Sequence, residues 1–280
     1  MSEILETLAQ LAVLVFVVSS MLSMWLSLTT KQIIEPLQDT RLVILALVTN
    51  FIVVPLAAYL ITVVLPLDES IEVGLILISM AAGAPFLPKL VQVAKGNTAF
   101  SVGLMVLLMV VTIVFLPIVL PLVLQGVEVN PLDIAQSLVV MMLIPLAIGL
   151  FIKARYEDSA EKIRPTFAMA ANLGILVLIV LGVVLNFDAM IDLVGSLGIL
   201  AALIFLIVSI GAGYLLGGSD RSIKSVMALG TGQRNISAAI VVAAQNFDSD
   251  VLTYLLVFAM IGFVLLFPVA GELGKRSQAT

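Results

Sequence analysis

Few side chains in this sequence could do chemistry, and two of them stand where a charge is expensive. The chain has no histidine and no cysteine. That removes the usual general base, proton relay, thiol nucleophile and soft metal ligand. What remains is the run Gly230-Thr231-Gly232-Gln233-Arg234-Asn235, followed by Ser237, inside an apolar segment from Ile223 to Gln245. A second run, Ala81-Ala82-Gly83-Ala84-Pro85-Phe86-Leu87-Pro88-Lys89, interrupts another apolar segment. Arg234 stands eleven residues from either end of its segment. An ionisable group at mid-membrane costs at least ~2.5 kcal/mol and marks function by default. Cations beside amides and hydroxyls suit the binding of an anion. They do not make an acid–base or nucleophilic centre, so no catalytic residue and no metal site is expected.

The elements that hold these residues follow from composition. The 280 residues are 62% hydrophobic and 11% charged, with a mean hydropathy of +1.25. A soluble domain would be near ~25% charged. The expected fold is an all-α polytopic membrane protein, one transmembrane domain over 1–280. Nine apolar segments are expected as spans: Leu8–Leu28, Leu42–Leu65, Ile71–Val93, Phe100–Leu124, Leu132–Ile152, Thr166–Leu185, Val194–Leu216, Ile223–Gln245 and Val251–Ala270. Roughly 20 apolar residues cover the ~30 Å hydrocarbon core. The first segment is too long for a signal-peptide core and is read as a span. The bilayer is the expected partner. The acidic balance implies no nucleic acid, because the charges lie in short loops.

Those charges orient the chain. Lys31, Arg41, Lys95, Lys153, Arg155, Lys162, Arg164, Arg221, Lys224, Lys275 and Arg276 fall on one side of a nine-span layout. Asp68, Glu69, Glu72, Glu128, Asp133, Asp188, Asp192, Asp248 and Asp250 fall on the other. Cytoplasmic loops carry the Lys/Arg excess. The N-terminus is therefore expected outside the plasma (inner) membrane and the C-terminus inside. Only Lys89 and Arg234 remain of the 13 basic residues.

Segments one to four start outside and segments six to nine inside. They read as inverted repeats, about 8–124 and 166–270, linked by a helix at 132–152. The third member of each repeat is the interrupted one. Unwound backbone survives at depth only inside protein or along a water-filled cavity. Paired Gly/Pro-interrupted spans are the best sequence pointer to a transporter's binding site. The helix breaks are placed at Gly83, Pro85, Pro88 and Gly232. Each second half-helix presents free N–H groups and a positive dipole end, which favour an anion. Each first half-helix presents bare carbonyls, among which a tethered Arg or Lys head could replace a bound metal ion. Lys89 lies six residues before Lys95, about 9 Å inside it, so snorkelling competes with a site role. The glycines Gly211, Gly213, Gly217 and Gly218 are read as packing, and Trp25 as an interfacial anchor.

Three stretches carry a resemblance to the bile acid:sodium symporter family. Thr49-Asn50-Phe51-Ile52-Val53-Val54-Pro55-Leu56 is similar to its Gln-Phe-x-x-x-Pro-Leu helix. Ala94-Lys95-Gly96-Asn97-Thr98-Ala99-Phe100-Ser101-Val102 resembles its Ala-Arg/Lys-Gly-Asn-x-Ala-Leu-Ser-Val hinge. Gly232-Gln233-Arg234-Asn235-Ile236-Ser237-Ala238-Ala239 resembles its Gly-Met-Gln-Asn-Ser-Gly-Leu-Ala crossover. The resemblance implies panel and core domains, two broken helices crossing in the core, and alternating access for organic anions. The chain departs from the family at its sodium ligands. Gly230 stands where the family has a Glu, Arg234 where it has the crossover Gln, Leu87-Pro88 where it has Ser-Asn, Met105 where it has a Thr, and Asn50 where it has the segment-two Gln. Ser101 is kept. Asn50, Ser101 and Gly230 are thus remnants of a cation site. The plant auxin efflux carriers, similar in fold and sodium-free, offer the nearer functional analogy.

The expected function is secondary transport of a small organic anion without sodium. Arg234 and Lys89 supply positive field, and Asn235, Thr231, Gln233 and Ser237 supply hydrogen bonds to substrate. The alternatives are a sodium-coupled symporter using mostly backbone carbonyls, and a membrane sensor or assembly subunit. No cofactor is expected, and Na⁺ separates the first two readings.

Overall fold

The computed structural model describes residues 2–124, 130–185, 191, 193 and 196–278. Glu128, Asp188, Asp192 and Val194, used above for topology and segment bounds, lie outside them. Every regular element among the described residues is helical. These are α1 (Ser2–Trp25), α2 (Thr30–Ile34), a 3-10 turn (Glu35–Gln38), α3 (Thr40–Val48), α4 (Val54–Val64), α5 (Glu69–Met80), α6 (Leu87–Val93) and α7 (Thr98–Val123). There follow α8 (Pro131–Leu138), α9 (Ile144–Arg155), α10 (Glu157–Leu185), α11 (Gly198–Leu216), α12 (Arg221–Gly232), α13 (Ile236–Asn246) and α14 (Ser249–Gln278).

Seven helical stretches are long and apolar enough to cross a membrane: Thr7–Trp25, Thr40–Val64, Thr98–Val123, Pro131–Arg155, Glu157–Leu181, Gly198–Leu216 and Ser249–Arg276. The protein is an integral, multi-pass membrane protein. The remaining two apolar segments of the sequence are each split into two shorter helices, α5 with α6 and α12 with α13.

Two of the long stretches carry a π-helical turn, Thr49–Val53 before α4 and Val139–Leu143 before α9. Each is followed by a proline at the second position of the next helix, Pro55 and Pro145. Proline has no N–H, and its ring crowds the carbonyl one turn back. The chain relieves this by widening the turn, so Val54 N–H reaches Thr49 O and Ile144 N–H reaches Val139 O. The first of these turns carries Asn50 inward.

Close packing is set by glycines. A Cβ on Gly174 of α10 would meet Phe16 N of α1 at 2.8 Å, and one on Gly149 of α9 would meet Trp25 Cβ at 2.6 Å. Trp25 is fully buried. It is a packing residue in the α1–α9 contact, which corrects its reading as an interfacial anchor; the partner that buries it is a glycine more than a hundred residues away. A Cβ on Gly213 of α11 would meet Met227 O of α12 at 2.3 Å, and one on Gly217 would meet Lys224 Cα at 2.7 Å. Gly211 faces open space. On the face that the charge pattern puts outside, Ser137 of α8 donates to Gln245 Oε1 of α13.

The basic segment Lys153–Arg164, expected as a loop, is helical on both sides of Tyr156. Lys153 pairs with Glu157 at 2.9 Å and Glu161 at 3.3 Å, so opposite charges bridge the turn. α10 therefore starts nine residues before Thr166.

Candidate functional site

The two split segments meet at their breaks. α5 ends at Met80 and the chain is non-helical through Ala81–Ala84 before α6 begins at Leu87. Gly83 adopts a φ of +80°, and a Cβ there would lie 2.2 Å from Met109 N. Both its torsion and the close approach of α7 demand glycine. Thr112 of α7 fastens the same stretch, its hydroxyl accepting from Ala82 N–H at 3.0 Å and donating to Ala82 O at 3.1 Å. Pro85 lies in this linker, while Pro88 sits in the first turn of α6, where its missing N–H costs nothing. Pro88 therefore starts a helix instead of breaking one.

The second break is shorter than expected. α12 continues through Gly230 and Gly232, and only Gln233–Asn235 are non-helical. The two glycines serve approach. A Cβ on Gly232 would meet Ile210 Cγ1 at 2.4 Å, and one on Gly230 would sit 3.1 Å from Leu87 Cδ2. Asn235 caps α13, its Oδ1 accepting from Ala238 N–H at 3.1 Å.

Residues 234 and 235 lace the breaks together. Asn235 N–H donates to Ala81 O at 2.8 Å, and its Nδ2 to Gly83 O at 3.1 Å. Arg234 is 2% exposed. Its Nε donates to Ile78 O at 3.2 Å and its Nη2 to Ser79 O at 2.5 Å. Its Nη1 donates to Asn50 Oδ1 at 2.8 Å and to Thr231 O at 3.2 Å. The guanidinium thus sits at the C-terminal end of α5, where bare carbonyls and the negative end of the helix dipole gather. All four acceptors are neutral oxygens; among the described residues no carboxylate pairs with it. Asn50 is held in turn by Nδ2–H bonds to Ala46 O at 3.0 Å and Thr231 Oγ1 at 3.4 Å.

The expected residues separate into groups. Arg234, Asn235, Thr231 and Asn50 are brought together and buried. Gln233 is 7% exposed, and its Oε1 is buried without a partner. Ser237 is buried on the first turn of α13, and Gly230 is buried in α12. Ser101 is buried in α7 but turned back on its own helix, donating to Thr98 O at 2.6 Å. Lys89 does not join the crossing. It is exposed on α6, with Nζ 5.6 Å from the Phe86 ring centroid. Thr112 went unread in the sequence, because a lone threonine in an apolar helix gives no local sign of what it faces.

A cavity of about 670 Å³ opens where the start of α5 meets the end of α13, lined by Glu69, Ser70, Val73, Gln245, Asn246 and Asp248 among others. None of the expected site residues lines it, and Glu69 and Asp248 make it a poor anion receptor.

The geometry so far describes two split apolar segments that meet at their breaks, held together by Arg234 and Asn235. A comparison with curated proteins found no match. Residues 13–193 match the Sodium Bile acid symporter family, a family of membrane transporters. The matched stretch includes Asn50 and the first break and ends before the second. It covers well over half of the sequence, and the chain belongs to the sodium bile acid symporter family.

Proposed function

We propose that the protein is a secondary transporter of a small organic anion, working by alternating access without sodium, with Arg234 as a tethered replacement for a bound cation. One observation carries the reading. Ile78 O, Ser79 O, Thr231 O and Asn50 Oδ1 converge on a single buried positive charge. Several neutral oxygens around one cation are what a hard metal ion would require. Here a covalently attached guanidinium fills that place, so the crossing keeps its positive charge with no ion to bind or release. Lys89 and the polar groups of Thr231, Gln233, Asn235 and Ser237 are proposed to contact substrate. Nine spans, inverted repeats, panel and core domains, an outside N-terminus and a plasma-membrane location belong to the same proposal.

The family match favours a second reading, a sodium-coupled symporter. Uptake of labelled organic anions into proteoliposomes separates the two. Replacing Na⁺ by K⁺ at constant ionic strength is expected to leave affinity unchanged. A tenfold gain with Na⁺, worth ~1.4 kcal/mol, would show a surviving sodium site and end the tethered-cation reading.

A further inference from the structure

We infer that Lys89, with Phe86, Phe263 and Phe267, forms a binding subsite for a monocarboxylate bearing an aromatic group. The inference rests on the organic-anion reading above and adds the place and the chemical class of the anion.

Three observations lead there. The first is the direction of the lysine. α6 runs from Leu87 toward the cation-bearing loop at Lys95, and its side chains lean back toward its N-terminus. The Lys89 ammonium accordingly lies over the ring of Phe86, three residues back on the side of the break. A cation kept at that depth needs water or an anion beside it. Among the described residues no carboxylate reaches it.

The second is the wall. Phe86 meets Phe263 edge-on at 5.5 Å between ring centroids and Phe267 at 5.8 Å. Phe263 and Phe267 of α14 are 47% and 43% exposed. The ammonium and the two open rings therefore share Phe86 as a common neighbour at the α6–α14 contact. Offset and edge-to-face contacts from three phenylalanines suit another aromatic ring.

The third is charge. Four contacts to protein oxygens occupy Arg234. Lys224, at the start of α12, lies over the Tyr214 ring, which leaves Lys89 as the cation beside a break to meet a ligand. One ammonium neutralises one carboxylate. A dicarboxylate or a phosphate dianion would leave a charge unmatched at that depth, which is strongly disfavoured.

The test uses the natural absence of cysteine. Met260, on the same exposed face one turn before Phe263 and Val264, is replaced in the full chain by Met260→Cys, leaving all three rings intact. The protein is reconstituted and labelled from the aqueous phase on both sides with a membrane-impermeant trimethylammonium thiosulfonate. Labelling is expected, and saturating 3-phenylpropanoate should slow it about tenfold. Propanoate at the same concentration should not. Adding Lys89→Gln should abolish protection, and adding Lys89→Arg should keep it. Three results would overturn the subsite: no aqueous labelling, labelling with no protection, or protection that survives Lys89→Gln. Uptake of other organic anions alongside such a failure would leave the transport reading standing. Protection by 3-phenylpropanoate without any anion uptake would keep the subsite and end the transport reading.

Discussion

At the scale of one residue, the outcome turns on how Arg234 spends its donors. A guanidinium has five N–H groups in a fixed fork. Four contacts join it to two carbonyls of α5, one of α12 and the amide of Asn50. Burying a charge is costly, and removing it leaves its acceptors unpaired in a medium that cannot solvate them. Arg234→Gln is therefore expected to lower stability by about 2 kcal/mol or more, seen as an earlier thermal midpoint in detergent. It should also reduce organic-anion uptake by more than about tenfold, because the crossing loses its positive charge. Arg234→Lys should recover part of both, since an ammonium restores the charge without the fork. A folded Arg234→Gln protein with unchanged uptake would remove Arg234 from the mechanism.

At the scale of the element, the linker between α5 and α6 and the start of α12 each rest on one small feature. Gly83 combines a φ of +80° with a backbone neighbour 2.2 Å from any added Cβ. Gly83→Ala is expected to destabilise the protein by more than the ~1–2 kcal/mol of left-handed torsion alone, measured as the thermal midpoint beside a Gly211→Ala control, where the added methyl meets nothing. Asp220 caps α12, accepting from Ser222 N–H at 2.7 Å and Ile223 N–H at 3.2 Å. These bonds, that from Ile223 first, hold its carboxyl below the ordinary value of 3.8. A depressed pKa contributes stability that is complete above the unfolded value and fades as pH falls through the folded one. Asp220→Ala should cost about 1 kcal/mol at neutral pH, and the gap to the parent protein should shrink below pH 3.8. Asp220 is almost fully solvated, so the effect stays at the level of a surface cap. A gap that is flat from pH 7 to below 3.8 would discard the cap.

At the scale of the molecule, the distribution of basic residues sets the expected orientation. Reporter fusions after Asp68 and after Lys275 should read outside and inside respectively. The same compartment for both would reject the nine-span topology. Ser137 of α8 donates to Gln245 of α13, which also lines the cavity. Gln245 stands eleven residues after Arg234, toward the other end of α13, so the crossing and this contact hold opposite ends of one helix.

The sequence alone determined the membrane class, the seven long apolar stretches and the two apolar segments that are split, because hydropathy and proline act locally. It also marked Arg234, since an arginine eleven residues deep has no bland explanation. Tertiary structure decided what Arg234 touches. Its acceptors Ile78 and Ser79 lie more than 150 positions away and are backbone carbonyls, which carry no side-chain signature. Tertiary structure also separated Lys89 from Arg234, although the two looked alike as cations beside breaks. The difference lies in which side of α6 faces the crossing, and a seven-residue helix opened by proline is too short for its own periodicity to reveal that.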